Sequence, residues 1–355
     1  MRHTTFLVFC LSAVGLLLGG AAWLVYDVDP FQQYRLAAPG KAWFPRALQR
    51  YINPGLAKHA DYDLVITGSS LMENYELPEV NRLCRARAIN LSLSAMGAFE
   101  QRKLLTVALQ HRHPQRVVMS LDFNSFATAP DQGPVGVEPL PLYLYDDNPF
   151  NDHAYLLNLG MLRRAWVQQS TAWAEAGNPD RPWNWDGEVQ FGRRQTVAGL
   201  DPLHLNKRFQ QAPRTLAGMQ ASFEANIVPL VAAYPQTSFD LLFPPYSILV
   251  WADFAQRGQV EVSLDFKRYV FLRMASYANV RVFDLQWDAT ITHDLDRYKD
   301  IYHYDPAVNR LMLEAACKEG ARYRVTATTL PSFIDSLREQ ALRADPVRLV
   351  EAAAK

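Results

Sequence analysis

Between Asp63 and Phe123 the chain alternates short β-branched runs with longer amphipathic ones, and this rhythm restricts the fold more than any other feature. Asp63–Gly68, Ala88–Ser94 and Arg116–Phe123 read as strands. Leu71–Leu83 and Phe99–Gln110 read as the helices between them. Strands separated by helices pair in parallel, because a tight hairpin joins only antiparallel neighbours. Thr128–Pro213 breaks the pattern: it is rich in Pro, Gly and Trp, and only Leu156–Ala174 has helical character. The alternation then resumes with a helix over Thr215–Tyr234, a strand over Ser238–Phe243, a helix over Glu261–Tyr277, a strand over Val280–Leu285 and a helix over Pro306–Lys318. Proline suits the first turn of that last helix, where the N–H would have no partner. The expectation is an α/β domain with a five-stranded parallel sheet, an insertion at 128–213 lying over the strand C-termini, and a polar helical tail.

The first residues set the compartment. Thr5–Tyr26 is uncharged and mostly apolar, long enough at about 1.5 Å per residue to cross a hydrocarbon core of roughly 30 Å. Arg2 and His3 precede it and Asp27 and Asp29 follow, which favours a cytoplasmic N-terminus and an exported remainder. Gly20-Ala21-Ala22 resembles a signal-peptide cleavage site, but the apolar run continues through Trp23–Tyr26, which favours an uncleaved anchor. The organisation expected is an anchor over 1–26 with the span at 5–26, a proline-containing stalk over 27–60, a domain over 61–325 and a tail over 326–355. That makes the chain a single-pass protein of a bacterial inner membrane, with its domain in the periplasm or outside the cell. A formal net charge of +0 and a pI near 7.1 give no field for nucleic acid and no acidic excess for disorder. The aromatic clusters at Trp183–Trp185 and Tyr143–Tyr155 are either core filling or a sugar- or acyl-binding surface.

Chemistry enters at the end of the first strand, in Gly68-Ser69-Ser70. In open α/β sheets ligands bind at the carboxyl ends of the strands. A helix starting at Leu71 would add unpaired N–H groups and a partial positive charge for a developing anion. A serine needs a general base, and a carboxylate usually orients that base. YKDIYHY, Tyr298–Tyr304, supplies His303 as base and Asp300 as orienter from one loop just before the last helix. His293-Asp294 is a rival pair. His111, His113, His153 and His204 have no metal-ligand spacing, so neither a metal nor another cofactor is expected. Tyr246, in the FPPYS that ends the fourth strand, is either a pocket wall or part of a rigid exit from the sheet. Arg193-Arg194 reads as a solvated basic pair.

With these residues the chain resembles the SGNH/GDSL-type hydrolases, over roughly Tyr62 to Cys317 with the insertion interrupting. In that family the first block is strand–Gly-Asp-Ser and the last is Asp-x-x-His; the second and third give a glycine and an asparagine to an oxyanion hole. The resemblance implies a flavodoxin-like three-layer sandwich, Ser70 as nucleophile, Asp300 and His303 as the acid–base pair, and Gly97 (SAMGA) with Asn124 (LDFNSF) as oxyanion donors. Ser69 replaces the family's Asp, so the choice of Ser70 over Ser69 rests on alignment alone, and the third block is not Gly-x-Asn-Asp, which leaves Asp122 as a rival polar group. The anchored GSS form is similar to the membrane-anchored D-alanine transfer protein of teichoic-acid modification and to exopolysaccharide O-acetyltransferases. This implies a serine esterase or O-acyltransferase acting on an acyl-bearing polysaccharide or lipid, with a membrane-bound acyl donor protein as a further candidate partner. A non-catalytic envelope scaffold on the same fold is the alternative. Cys84 and Cys317 each fall fourteen positions after a proposed catalytic residue (84 − 70 and 317 − 303). In a flavodoxin-like order their helices are neighbours, so an oxidising compartment would join them in a disulfide; two buried thiols are the alternative.

Overall fold

The computed structural model describes residues 2–38, 40–170, 177–205, 213–318 and 321–354. It divides into two compact units, residues 1–60 with 140–179 and residues 61–139 with 180–355.

The second unit carries the sheet. Its five strands are β1 (Leu64–Thr67), β2 (Ala88–Asn90), β3 (Arg116–Ser120), β4 (Ser238–Phe243) and β5 (Val280–Asp284). All neighbours pair in parallel, in the order β2-β1-β3-β4-β5. This is the flavodoxin-like order in which ligands sit beyond the strand C-termini beside β1 and β3. The register aligns Leu64 with Ala88 on one side and with Arg116 on the other, and Thr67 faces Met119. Leu64, Val65 and Ile66 are wholly buried. That continuous burial is why β1 is an unbroken apolar run, since a parallel sheet is covered on both faces. The strands end sooner than the sequence suggests: β2 stops at Asn90 and β3 at Ser120. Between β4 and β5 a helix at Ile248–Gln256, unmarked in the sequence pattern, precedes Val260–Met274. The expected helix at 215–234 is two, Leu216–Asn226 and Val228–Ala233, divided just before Pro229. The C-terminal segment forms helices Thr329–Arg343 and Pro346–Ala354; Phe333, Ile334 and Leu337 are buried. Helices Leu77–Cys84 and Pro306–Cys317 are adjacent, and Cys84 is bonded to Cys317 with a Cα–Cα distance of 4.9 Å.

The first unit begins with helix Arg2–Val28. An 18-residue stretch within residues 3–28 has a mean hydropathy of 2.2 and is almost entirely uncovered, with Phe6, Phe9, Leu16 and Leu17 exposed. By length and composition the helix can cross a membrane. Asp29, next in the chain, is buried and accepts the backbone N–H groups of Gln33, Tyr34 and Arg35 and the Tyr155 hydroxyl. Residues 27–60 are therefore no free linker: they turn on Asp29 into helix Gln49–His59, and Arg2–Val28 packs on helix Leu159–Ser170. Residues 171–174 of the helical pattern at 156–174 lie outside the described residues.

Candidate active site

The turn after β1 differs from the helix start expected there. Ser70–Met72 is a single 3-10 turn, and the helix begins only at Leu77. The carbonyls that would continue a helix are taken by side chains from elsewhere. Ser70 O accepts Trp185 Nε1 at 3.1 Å. Leu71 O accepts Asn309 Nδ2 at 2.9 Å and the Tyr304 hydroxyl at 3.2 Å, and Met72 O accepts Asn90 Nδ2 at 2.9 Å. Pro78 sits in the first turn of that later helix, where its missing N–H costs nothing. A lone turn has little macrodipole, so anion stabilisation here falls to individual donors rather than to a helix end. Gly68 makes the turn possible. Its φ is +148°, and a Cβ there would lie 2.1 Å from Ser120 Oγ and 2.7 Å from Met72 Cγ, so no larger residue fits.

The two distant halves of the proposed site meet. Ser70 Oγ lies 2.8 Å from His303 Nε2, and His303 Nδ1 lies 2.9 Å from both Asp300 oxygens. With Nδ1 donating to the carboxylate, Nε2 is the free acceptor facing the serine. Asp300 also accepts the backbone N–H groups of Tyr302 and His303, each at 2.9 Å, which closes the loop around it. Burial pushes the Asp300 carboxyl up, but hydrogen bonding to His303, the His303 charge and Lys299 more than reverse this and hold it far below the usual carboxylate range. Asp300 therefore stays ionised well into acid. Trp185 lies edge-on to the His303 ring at 5.3 Å, with Lys299 Nζ 4.6 Å from its centroid.

Ser69 and Ser70 now separate. Ser69 Oγ accepts the Leu71 N–H at 3.3 Å and donates toward Asp122, and only Ser70 faces His303. Ser70 N–H has no hydrogen-bond partner among the described residues, so it is free to meet an oxyanion. Gly97 is not. It is the N-cap of helix Ala98–His111, and its N–H donates to Glu100 Oε2 at 3.1 Å, a capping-box bond that removes it from the expected donor set. Asn124 sits in the turn after β3, half-buried, and its Oδ1 accepts Arg214 Nη1 at 3.0 Å, leaving Nδ2 without a partner among the described residues. Tyr246 is not a wall of an open pocket: it is 2% exposed, and its hydroxyl donates to Asp122 Oδ1 at 3.0 Å while accepting the Phe123 N–H. It is a strut beneath the site, as the stiff Pro-Pro before it allows. The rival His293 faces Gln340 Oε1 at 3.1 Å. Arg193 pairs with Asp296 on the surface. Among the described residues no group of three His, Cys, Asp or Glu side chains could hold a metal.

Asn309 and Arg214 carry no motif and escape a reading of the sequence. Trp183 and Trp185 had a composition signal, but both are core residues, 0% and 3% exposed; Trp183 Nε1 donates to Asn90 O at 2.8 Å.

Asp122 gives the site a pH signature. It is 4% exposed and accepts Ser120 Oγ at 2.9 Å as well as Tyr246 and Ser69, and burial raises its pKa against those bonds. The native state then holds this proton more tightly than the unfolded chain, so stability falls as pH rises from about 3.9 through the raised native value. Asp122→Asn removes that titration. Its Tm relative to wild type is expected to climb between pH 4 and 8; two parallel melting curves would contradict the assignment. The depressed Asp300 works the opposite way, its contribution being lost as pH falls below the unfolded value, but it is common to both proteins and cancels in the difference.

No family model matches the chain, and no curated protein matches it. Among solved structures it is similar to a Streptococcus pneumonia protein provisionally described as a platelet activating factor, at 11% identity and a TM-score of 0.42, over 77% of this chain and 91% of that one. A likeness at that distance says nothing of substrate or chemistry. The chain's own geometry defines a parallel α/β protein with a Ser–His–Asp arrangement at the carboxyl edge of its sheet.

Proposed function

We propose that the chain is a membrane-anchored serine esterase or O-acyltransferase of the SGNH type, acting on acyl esters of an envelope or extracellular polysaccharide. The observation that carries this reading is the relay Ser70 Oγ–His303 Nε2, Nδ1–Asp300, formed by side chains 233 residues apart. In the mechanism, Ser70 Oγ attacks an acyl carbonyl as His303 Nε2 takes its proton. The oxyanion meets Ser70 N–H and Asn124 Nδ2. His303 then returns the proton to the leaving oxygen, and an acyl-enzyme on Ser70 remains. Water, or a sugar hydroxyl deprotonated by His303, resolves the ester and regenerates the serine. Each oxyanion donor contributes about 3–4 kcal/mol at the transition state, so a two-donor hole is sufficient for ester chemistry. The apolar N-terminal helix supports placement at a membrane, with the inner membrane and the periplasm as the proposed compartments.

The test is a fluorophosphonate probe with peptide mass spectrometry on the full chain in detergent. The adduct is expected on Ser70 and not on Ser69. A folded protein that takes no label at Ser70 would return the chain to the scaffold reading. The acceptor is read separately, by offering labelled acyl-enzyme a series of deacetylated polysaccharides and following transfer against hydrolysis.

A further inference from the structure

Arg214 is 7% exposed, and its bond to Asn124 is the one hydrogen bond its guanidinium makes among the described residues. Nε and Nη2 are enclosed and have no hydrogen-bond partner, and no carboxylate pairs with it among the described residues. Phe254 lies 4.2 Å and Phe123 5.6 Å from its central carbon, and its backbone N–H is anchored on Gln259 Oε1 at 3.0 Å. A buried charge with two orphaned donors is costly, and such a group calls for a reason. We propose that Arg214 is a positioning residue that locks the Asn124 amide for the reaction at Ser70, an inference that rests on the esterase reading. A guanidinium only donates, so the amide atom facing it must be Oδ1, and Nδ2 must turn the other way. Arg214 comes from the side of β4, stacked on Phe254 in the helix that follows that strand. Ser70 follows β1, on the opposite side of β3 from β4. The bond therefore turns the only donor of Asn124 toward the reacting serine and prevents the amide flip that would present an oxygen to an oxyanion. Stability is given up for that orientation.

Arg214→Met keeps the apolar stack and deletes the lock. With p-nitrophenyl acetate as the ester, kcat is expected to fall roughly tenfold to hundredfold, the usual cost of a misoriented group, with KM within about threefold. Tm should hold or rise, because the orphaned donors leave with the charge; a merely structural arginine would lower Tm. Arg214→Lys, with one donor left for Oδ1, should recover part of the rate. In an Asn124→Ala background Arg214→Met should have less than about a twofold further effect, since both act through one amide. Full kcat in Arg214→Met, or an equal loss in the Asn124→Ala background, overturns the proposal while leaving Ser70 labelling intact. An unlabelled Ser70, or hydrolysis that survives Ser70→Ala, overturns the esterase reading and this proposal with it.

Discussion

His303→Ala will slow acylation of Ser70 by on the order of 10⁴-fold or more, whether followed with a fluorophosphonate or an activated ester. The serine hydroxyl is a weak nucleophile near neutral pH, and Nε2 at 2.8 Å is the base within reach of it. Asp300→Asn should cost on the order of 10³–10⁴-fold by a different route. The amide would offer Nδ1 an N–H where a carboxylate now accepts, which favours the tautomer with the proton on Nε2, pointing the wrong way. Because Asp300 also holds the Tyr302 and His303 backbone N–H groups, the two variants are to be compared at matched Tm. With the carboxylate ionised far into acid, loss of wild-type activity on acidification should not report Asp300. Wild-type rates in His303→Ala would remove the triad from the mechanism altogether.

Reduction of Cys84–Cys317, or Cys84→Ser with Cys317→Ser, is expected to give the largest loss of stability of any change outside the core. The bond closes a loop of 233 residues. Chain entropy alone assigns a loop of that size about 5 kcal/mol, and measured disulfides more often give 2–4. The cross-link ties the helix beyond the nucleophile turn to the helix that begins just past His303. Its loss should therefore lower Tm by several degrees and also reduce Ser70 labelling at temperatures where the rest of the sheet persists. Melting curves with and without reductant measure the first effect, and labelling across the same temperatures the second. An unchanged Tm would mean that helix packing alone carries the junction.

The alternation of apolar runs pointed to the parallel sheet, because a helix between consecutive strands supplies the crossover that parallel pairing needs, and β4 appears at Ser238–Phe243 as its pattern indicates. DIYH was legible as a site because its chemistry is local: Asp300 and His303 orient each other within one loop. The pairing of Cys84 with Cys317 was also readable, given a flavodoxin-like order and an oxidising compartment. What the sequence could not determine is which backbone groups remain free. Gly97 has the right motif, yet Glu100 three residues on takes its N–H. Leu71–Leu83 has a helical stripe, yet Trp185, Asn309, Tyr304 and Asn90 claim the carbonyls that would extend a helix from Ser70. Those competitors come from three separate stretches of chain, and only the folded structure brings them to the same turn. A backbone polar group bonds to whichever partner folding delivers, so motifs specify the chemistry a loop can perform and tertiary packing decides which of its donors are left to perform it.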